Sequence, residues 1–206
     1  MDSKGMLLII SGPSGSGKGT VTAELCKKEG YALSISYTTR DKRGEEVDGV
    51  HYFFTTEEEF HHMRESDMFL EHALFRNNFY ATPRKYVEEQ ITNGKVVVLE
   101  IDVNGALQIK EKFPDAVLIF MIPRTLKQLE ERLLSRKREG KVEIEGRLNR
   151  AIEEVELVDK YAYLVINNIV EETADEIDLI VNAEFLRPSR NSHKIKEFIG
   201  DDQNDA

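Results

Sequence analysis

The chain has 206 residues, of which 38 are acidic and 28 are basic, so its formal net charge is −10. This balance argues against general nucleic-acid binding, because such binding needs a basic face that releases counterions. The sequence has no apolar run of membrane-spanning length, no signal-like segment in residues 1–5, and a single cysteine, which excludes an internal disulfide. We therefore expect a cytoplasmic protein without nucleic-acid or membrane partners, and homo-oligomerisation stays open.

A glycine-rich turn joins the first apolar run, residues 6–10, to a helical pattern that places Val21, Leu25 and Cys26 on one face. Glycines allow consecutive backbone N–H groups to converge on one point, with the positive end of the helix behind them. The turn therefore predicts a phosphate-binding loop for ATP. Its residues are Gly12, Pro13, Ser14, Gly15, Ser16, Gly17, Lys18, Gly19 and Thr20.

Two positions of this loop carry its chemistry. Lys18 is predicted to reach the β- and γ-phosphates. Gly19 stands where a hydroxyl residue usually binds Mg²⁺, so Thr20 is the nearest substitute and Ser16 a weaker one. The alternative interpretation is a glycine-rich turn with a solvated lysine. The position of the turn between a buried-strand pattern and an amphipathic helix favours phosphate binding.

The segment from Tyr37 to Tyr86 predicts a β-rich insertion. Asp48-Gly49 is a hairpin signal, and Val50, Tyr52 and Phe54 alternate after it, which indicates a small antiparallel sheet. Further predicted elements are a helix over 57–64 with Phe60 and Met63 inward, a strand from Phe69, and a helix from Pro83 to about Asn93 with Thr82 as its N-cap.

Later apolar runs at residues 96–101 and 116–121 predict strands buried on both faces, as in a parallel sheet. Strands alternate with helices, which indicates an α/β fold with a parallel sheet core flanked by helices. We assign residues 1–36, 87–124 and 162–199 to this core, 37–86 to the β-rich lobe, 125–161 to a helical lid, and 200–206 to a disordered tail. Residues 124–150 hold nine Lys/Arg against five Asp/Glu, a local excess that suits an anionic ligand.

These segments together resemble the guanylate kinase family. Residues 34–40, Ser-Ile-Ser-Tyr-Thr-Thr-Arg, resemble the family's S-x-T-T-R, and residues 46–54 resemble its E-V-D-G-x-D-Y-x-F. Phe69-Leu70-Glu71, Asn78-Phe79-Tyr80 and residues 99–105 follow in the family's order. The resemblance covers nearly the whole chain to about Leu186. It implies a P-loop kinase fold, with a GMP-binding lobe and a lid, that transfers the γ-phosphate of ATP to GMP.

The resemblance implies that Glu71 and Asp102 bind guanine. The chemistry agrees, because guanine presents two donors on one edge that a carboxylate can accept, whereas adenine has an acceptor at N1. Ser36 and Thr82 match positions that the family places near guanine O6. Either of these two could instead be an ordinary strand residue or a helix cap.

For the phosphate of GMP, the resemblance implies binding by Arg40, Arg43, Tyr52 and Tyr80. Guanidinium groups bind phosphate through paired hydrogen bonds, and tyrosine hydroxyls donate without adding charge. On composition alone both arginines would be solvated surface groups. Glu46 is expected to orient an arginine or to contact the nucleotide.

Catalysis of phosphoryl transfer rests on positioning and cationic stabilisation. The expected cations are Lys18, Mg²⁺ and the arginines Arg43, Arg136 and Arg147, with Glu100 holding Mg²⁺ through water. Ser135-Arg136-Lys137 departs from the family's G-R-G, so Arg138 could share or take the role of Arg136. Asn167 is expected to border the adenine of ATP.

Two other functions are compatible with parts of this pattern. A guanylate-kinase-like module can bind phosphorylated peptides without catalysis, but such modules typically have a degraded phosphate loop, and this chain keeps Lys18. Another nucleoside monophosphate kinase is the second alternative, since Gly-Lys-Gly-Thr also occurs in adenylate kinase-like loops. The segment between Tyr37 and Tyr80 argues against it.

Overall fold

In a computed structural model of the chain, which describes residues 5–75, 77–135 and 141–200, strands alternate with helices. The described residues form nine strands and eight α-helices. In chain order these are β1 (Met6–Ser11), α1 (Lys18–Leu25), β2 (Tyr31–Leu33), β3 (Tyr37–Thr38), β4 (Phe53–Phe54), α2 (Glu57–Glu65), β5 (Phe69–Phe75), β6 (Asn78–Pro83), α3 (Arg84–Thr92), β7 (Val96–Glu100), α4 (Val103–Lys112), β8 (Val117–Pro123), α5 (Leu126–Ser135), α6 (Lys141–Val155), β9 (Tyr163–Asn167), α7 (Val170–Phe185) and α8 (Ser192–Ile199).

The larger sheet has five parallel strands in the order β2-β7-β1-β8-β9. All of β1 is buried, and so is most of β8. Burial on both faces is what a parallel sheet covered by helices requires. The predicted α/β fold with a parallel core is therefore confirmed.

Alternate residues of the central strands face two separate hydrophobic clusters, because successive side chains of a strand point to opposite faces. Leu8 and Ile10 pack with residues of α1 and α7 on one face. Leu7 and Ile9 pack with residues of α3 and α4 on the other. The core therefore lies directly beneath the edge of the sheet at which the glycine-rich loop begins.

The smaller sheet is mixed, with the strand order β4-β3-β6-β5, and the prediction of an antiparallel hairpin at Asp48-Gly49 is wrong. Strand β4 pairs with β3 in the parallel direction, whereas β3 and β5 are antiparallel to β6. The polar residues before Asp48 form no first arm for a hairpin. Instead the N–H of Gly49 donates to the carbonyl of Tyr52 at 2.8 Å, and the Asp48 carboxylate accepts from the N–H of Phe54 at 2.8 Å.

Helix α2 was predicted correctly, with Phe60 buried and Met63 packed beside it. The prediction that Thr82 caps α3 is wrong, because β6 continues through Pro83 and this proline takes the N-cap position without a side-chain hydrogen bond. The hydroxyl of Thr82 binds a carboxylate of β5 instead.

The chain after Leu186 continues into α8, which ends at Gly200 in a left-handed conformation. The rest of the predicted tail, residues 201–206, lies outside the described residues. Among the helices that the structure describes, none combines the length and the apolar character needed to cross a membrane.

The core position of Leu118 predicts a large loss of stability on truncation. Leu118 on β8 is 0% exposed and belongs to the hydrophobic cluster that contains Leu7 and Ile9. Leu118→Ala should therefore lower the free energy of unfolding by about 2–5 kcal/mol. Leu179, 70% exposed on α7, is the matched control, and Leu179→Ala should change it by about 0.5 kcal/mol or less. Urea denaturation measures both; equal losses would contradict the assignment of the core.

Candidate active site

The glycine-rich turn forms a closed loop between β1 and α1. Lys18 is the first residue of α1, and its ammonium donates to the carbonyls of Gly12 at 2.6 Å and Pro13 at 3.1 Å. Gly12 has a φ of +134°, and a Cβ there would lie 2.2 Å from the carbonyl oxygen of Met121 on β8. The loop therefore packs against the sheet too closely for any side chain at this position.

Two residues that the sequence analysis did not assign to the loop form hydrogen bonds with its backbone. The amide of Asn167 donates to the carbonyl of Ser16 at 2.7 Å, and Arg132 donates to the same carbonyl at 3.0 Å. Arg132 also donates to the backbone carbonyl of Asn167 at 3.3 Å. Because a Cβ at Gly17 would lie 2.3 Å from the Asn167 amide nitrogen, the glycine allows this contact.

The available signals for these two residues were weak. Asn167 ends β9 and was expected to border adenine, and in the structure its side chain supports the phosphate loop. Arg132 lies on α5 beside the buried Leu129 and Leu133, where a charged residue of an amphipathic helix is expected to be solvated.

An oxygen-rich cavity of about 220 Å³ lies beside the loop. Thr20 and Glu100, both exposed, line it together with Gly19 and Lys18. A Cβ at Gly19 would lie 3.1 Å from a Glu100 carboxylate oxygen, so the glycine gives this carboxylate room next to the loop. One carboxylate and one hydroxyl fit Mg²⁺, which binds a nucleotide through few protein ligands and keeps several waters.

A second cavity of about 230 Å³ runs from the phosphate loop into the small sheet. Its walls bring together predicted site residues from several elements, namely Gly12, Ser14, Lys18, Ser36, Tyr52, Glu71, Tyr80, Glu100 and Asp102. Glu154 of α6, which the sequence analysis did not predict, lines it as well. A larger groove of about 720 Å³, on the Tyr37 and Pro83 side of the small sheet, is lined by none of the predicted site residues.

One end of the 230 Å³ cavity, beside the phosphate loop, holds two carboxylates. Glu71 on β5 is 3% exposed and accepts a 2.7 Å hydrogen bond from the hydroxyl of Thr82 on β6. Asp102 caps α4 by accepting from the N–H of Gly105 at 2.8 Å. A Cβ at Gly105 would lie 3.0 Å from Glu71, so the glycine lets α4 approach the buried carboxylate. Burial raises the pKa of the Glu71 carboxyl to about 7.

Arg40 follows strand β3 of the small sheet. Its guanidinium, 8% exposed, donates to both oxygens of Glu46 at 3.0 and 2.8 Å and lies 5.4 Å from the centre of the Tyr52 ring. The rings of Tyr52 and Tyr80 are 5.9 Å apart. Burial raises the pKa of the Tyr52 hydroxyl to about 12, so the group remains a donor at neutral pH.

The predicted arginines are placed differently from one another. Arg43 has an exposed side chain, and its backbone N–H donates to Glu46 at 2.8 Å. Arg147 lies half-buried on α6, and among the described residues of that helix it is Glu154 that lines the second cavity. Arg136 and Arg138 lie outside the described residues.

The arrangement suits a ligand with separate phosphate and base parts. Backbone N–H groups, Lys18 and the start of α1 favour phosphate at the loop. Glu71 and Asp102 offer acceptors to a base edge that carries donors. Arg40 and the two tyrosines offer donors to a second anionic group.

Comparisons with known proteins all point to the same family. The model of the guanylate kinase family matches residues 4–184. A guanylate kinase of Oceanobacillus iheyensis is 46% identical over 199 residues, covering 96% of this chain and 97% of the relative. A guanylate kinase of Caldanaerobacter subterraneus is also 46% identical, over 94% of this chain and 96% of the relative.

Solved structures agree with this result. The crystal structure of guanylate kinase from Anaplasma phagocytophilum superposes with a TM-score of 0.79 at 32% identity, covering 95% of each chain. The structure of TT1252 from Thermus thermophilus, at 14% identity and a TM-score of 0.52, is similar in fold alone.

The buried Glu71 predicts a specific pH dependence of stability. Its folded-state pKa of about 7 lies above the ordinary value of 4.5, so between these pH values the native state binds more protons than the unfolded state. Stability from this group is therefore present below pH 4.5 and is lost as the pH rises through 7. Relative to Glu71→Gln, the wild type should lose about 1–3 kcal/mol between pH 5 and pH 8 in urea denaturation.

The control for this experiment is Glu58→Gln, at an exposed carboxylate of α2. It should follow the wild-type curve. Parallel curves for the wild type and Glu71→Gln would show that the Glu71 carboxyl titrates normally.

Proposed function

The chain belongs to the guanylate kinase family, and we propose how this ATP:GMP phosphotransferase holds its two substrates. The reaction moves the γ-phosphate of ATP to GMP and yields ADP and GDP. The single observation that carries the assignment of residues is one cavity that joins Lys18 of the phosphate loop to the buried Glu71. The relatives give no support to a phosphopeptide-binding module or to another nucleoside monophosphate kinase.

We assign the guanine of GMP to the end of the cavity at Glu71 and Asp102. Both guanine donors can be accepted there, and Ser36 and the Thr82 hydroxyl lie at the same end, near the position for O6. Because the hydroxyl of Thr82 already donates to Glu71, it fixes the direction of that carboxylate. A buried acceptor without a partner is unfavourable, so adenine at this position is rejected.

The phosphate of GMP is assigned to Arg40, Arg43, Tyr52 and Tyr80. Glu46 holds the Arg40 guanidinium through two hydrogen bonds and also accepts from the backbone of Arg43. It therefore orients one arginine and fixes the loop that carries the other. Because these groups are already ordered, phosphate binding costs less side-chain and loop entropy.

The triphosphate of ATP is assigned to the loop of residues 12–20. Lys18 lies folded against the loop carbonyls, within reach of phosphates bound above them. Asn167 and Arg132 fix the Ser16 carbonyl, which keeps the neighbouring N–H groups directed at the ligand. Thr20 directly, and Glu100 through water, would hold Mg²⁺, which would supply positive charge to the phosphates.

The direct in-line transfer needs cations around the moving phosphoryl group. We assign this role to Lys18, Arg43, Arg147 and Arg136, with Arg138 as the alternative to Arg136. Residues 125–161 then act as a lid and 37–86 as the GMP-binding lobe on the core of residues 1–36, 87–124 and 162–199. We assign the enzyme to the cytoplasm, where ATP is plentiful.

The base assignment predicts selectivity among nucleoside monophosphates. ADP release from ATP should depend on GMP, and kcat/KM should be about 10⁴-fold lower with AMP because Glu71 would lose its donors. A coupled assay with GMP, AMP, CMP and UMP measures this selectivity. Comparable turnover of AMP would refute the assignment of Glu71 to guanine.

The loop assignment predicts that Lys18→Ala lowers kcat by about 10²–10³-fold or more, because a charge that stabilises the transition state is removed. Lys27→Ala is the matched control, since Lys27 follows the same helix with a side chain that is 70% exposed. It should keep wild-type kcat. An unchanged rate for Lys18→Ala would remove this lysine from the mechanism.

A further inference from the structure

The strand that carries Glu71 is irregular directly before this residue. Phe69 is paired with Pro83 and Glu71 with Thr82, so two steps along β5 correspond to one step along β6. Leu70 is the extra residue and has no counterpart in β6. Such an insertion is a β-bulge, which bends a strand and can redirect a side chain beside a functional site.

The bulge at Leu70 places Phe69 and Glu71 on opposite faces of the small sheet. In a regular strand, residues two positions apart lie on the same face. Phe69 packs with Phe60 and lines the large groove on the Tyr37 side, whereas Glu71 and Ala73 line the substrate cavity. Without the bulge, this packing of Phe69 would leave the carboxylate of Glu71 on the groove side.

A lysine of the neighbouring helix holds the bulge. Lys112 lies at the surface in the last turn of α4, and its ammonium donates to the carbonyl of Leu70 at 2.8 Å. Leu70 is 0% exposed, so its carbonyl is removed from bulk solvent and needs a donor from the protein. A charged donor forms a stronger hydrogen bond than a neutral one. The contact therefore stabilises the bulge and ties β5 to α4.

The other end of α4 approaches the same carboxylate. Asp102 caps the helix, and a Cβ at Gly105 in its first turn would lie 3.0 Å from a Glu71 oxygen. Because Asp102 begins the helix and Lys112 ends it, one rigid element sets the position of both carboxylates that we assign to guanine.

The charge of Lys112 also favours the form of Glu71 that accepts hydrogen bonds. Burial raises the pKa of the Glu71 carboxyl and Asp102 raises it further, while the donors of Thr82 and the charge of Lys112 lower it. A protonated carboxyl has less capacity to accept, and the two donors of guanine require that capacity. The other charged groups that line the cavity are Lys18, Glu100 and Glu154.

We propose that Lys112 is a positioning residue for GMP recognition, which holds the bulge at Leu70 and so directs the carboxylate of Glu71 at guanine. This inference rests on the proposed function, since it needs guanine at Glu71. Lys112 acts through Glu71 and does not contact the substrate. Its loss therefore affects the binding of GMP more than the phosphoryl transfer.

The test compares the wild type with Lys112→Met, which keeps the length of the side chain and removes its donor. The KM and the calorimetric Kd for GMP should rise about three- to tenfold, as expected for the loss of one hydrogen bond from a charged donor. The kcat at saturating GMP should stay within about twofold, because binding is weakened equally in the ground state and the transition state. The KM for ATP should not change.

The pH dependence of kcat/KM for GMP gives a second measurement. Removal of the Lys112 charge raises the pKa of Glu71, so the acid limb of the profile should move to higher pH in Lys112→Met. Ionisation of the GMP phosphate is the same for every variant, so the difference between the profiles reports the protein. Lys112→Arg keeps the charge and the donor and should restore both the wild-type KM and the wild-type profile.

Lys110→Met is the matched control for stability. Lys110 lies in the same last turn of α4 but donates to the carbonyls of Pro114 and Ala116, outside the small sheet. This variant should keep the wild-type KM for GMP and the wild-type pH profile, even where thermal unfolding shows a loss of stability as large as that of Lys112→Met.

Two outcomes would overturn the inference and leave the proposed function standing. One is an active Lys112→Met with the wild-type KM for GMP and the wild-type pH profile. The other is an equal rise of the KM for GMP in Lys110→Met and Lys112→Met, which would assign both lysines to the stability of α4. A wild type without GMP-dependent ADP release would overturn the proposed function itself.

Discussion

The parallel pairing of β1 with β7 is the constraint on which the site depends. Ile10 is paired with Glu100, so the two strands end at the same edge of the sheet. The glycine-rich loop leaves β1 directly after this pair, and Asp102 follows β7 at the same level. The N–H groups of the loop and the carboxylate of Asp102, to which we assign phosphate and guanine, are therefore brought side by side by backbone hydrogen bonds. Ligand sites at the carboxyl ends of parallel strands follow from this geometry.

Two carboxylates of the small sheet show how their surroundings separate support from recognition. Glu46 accepts two hydrogen bonds from the Arg40 guanidinium and one from the backbone N–H of Arg43, and these hydrogen bonds lower its pKa despite partial burial. Glu71 receives only neutral donors, the hydroxyl and the backbone N–H of Thr82, and burial raises its pKa. The first carboxylate has its partners within the protein and acts on an arginine. The second still has capacity to accept, which is what recognition of a base requires.

The sequence was informative where a local pattern decides the structure. The buried runs of β1, β7 and β8 and the loop that ends in Lys18 could be predicted because periodicity and glycine spacing act over a few residues. The parallel pairing of β4 with β3 could not be predicted, since it depends on the path of residues 41–52 between the two strands and not on the Asp48-Gly49 turn signal. The support of Ser16 by Arg132 and Asn167 joins positions far apart in the chain, for which a single sequence carries no spacing signal.

The contacts between helix α6 and the small sheet are weak individually but continuous. The Arg150 guanidinium lies 5.3 Å from the centre of the Phe75 ring, and this ring is 6.4 Å from that of Tyr80. Tyr80 in turn is adjacent to Tyr52, over which Arg40 lies. Exposed cation–ring contacts contribute about 0.5–1 kcal/mol, too little to fix the position of α6 alone. Helix α6 is instead positioned by its packing on α5, where Ile144 and Ala151 lie against Leu129 and Leu133 in a buried hydrophobic cluster.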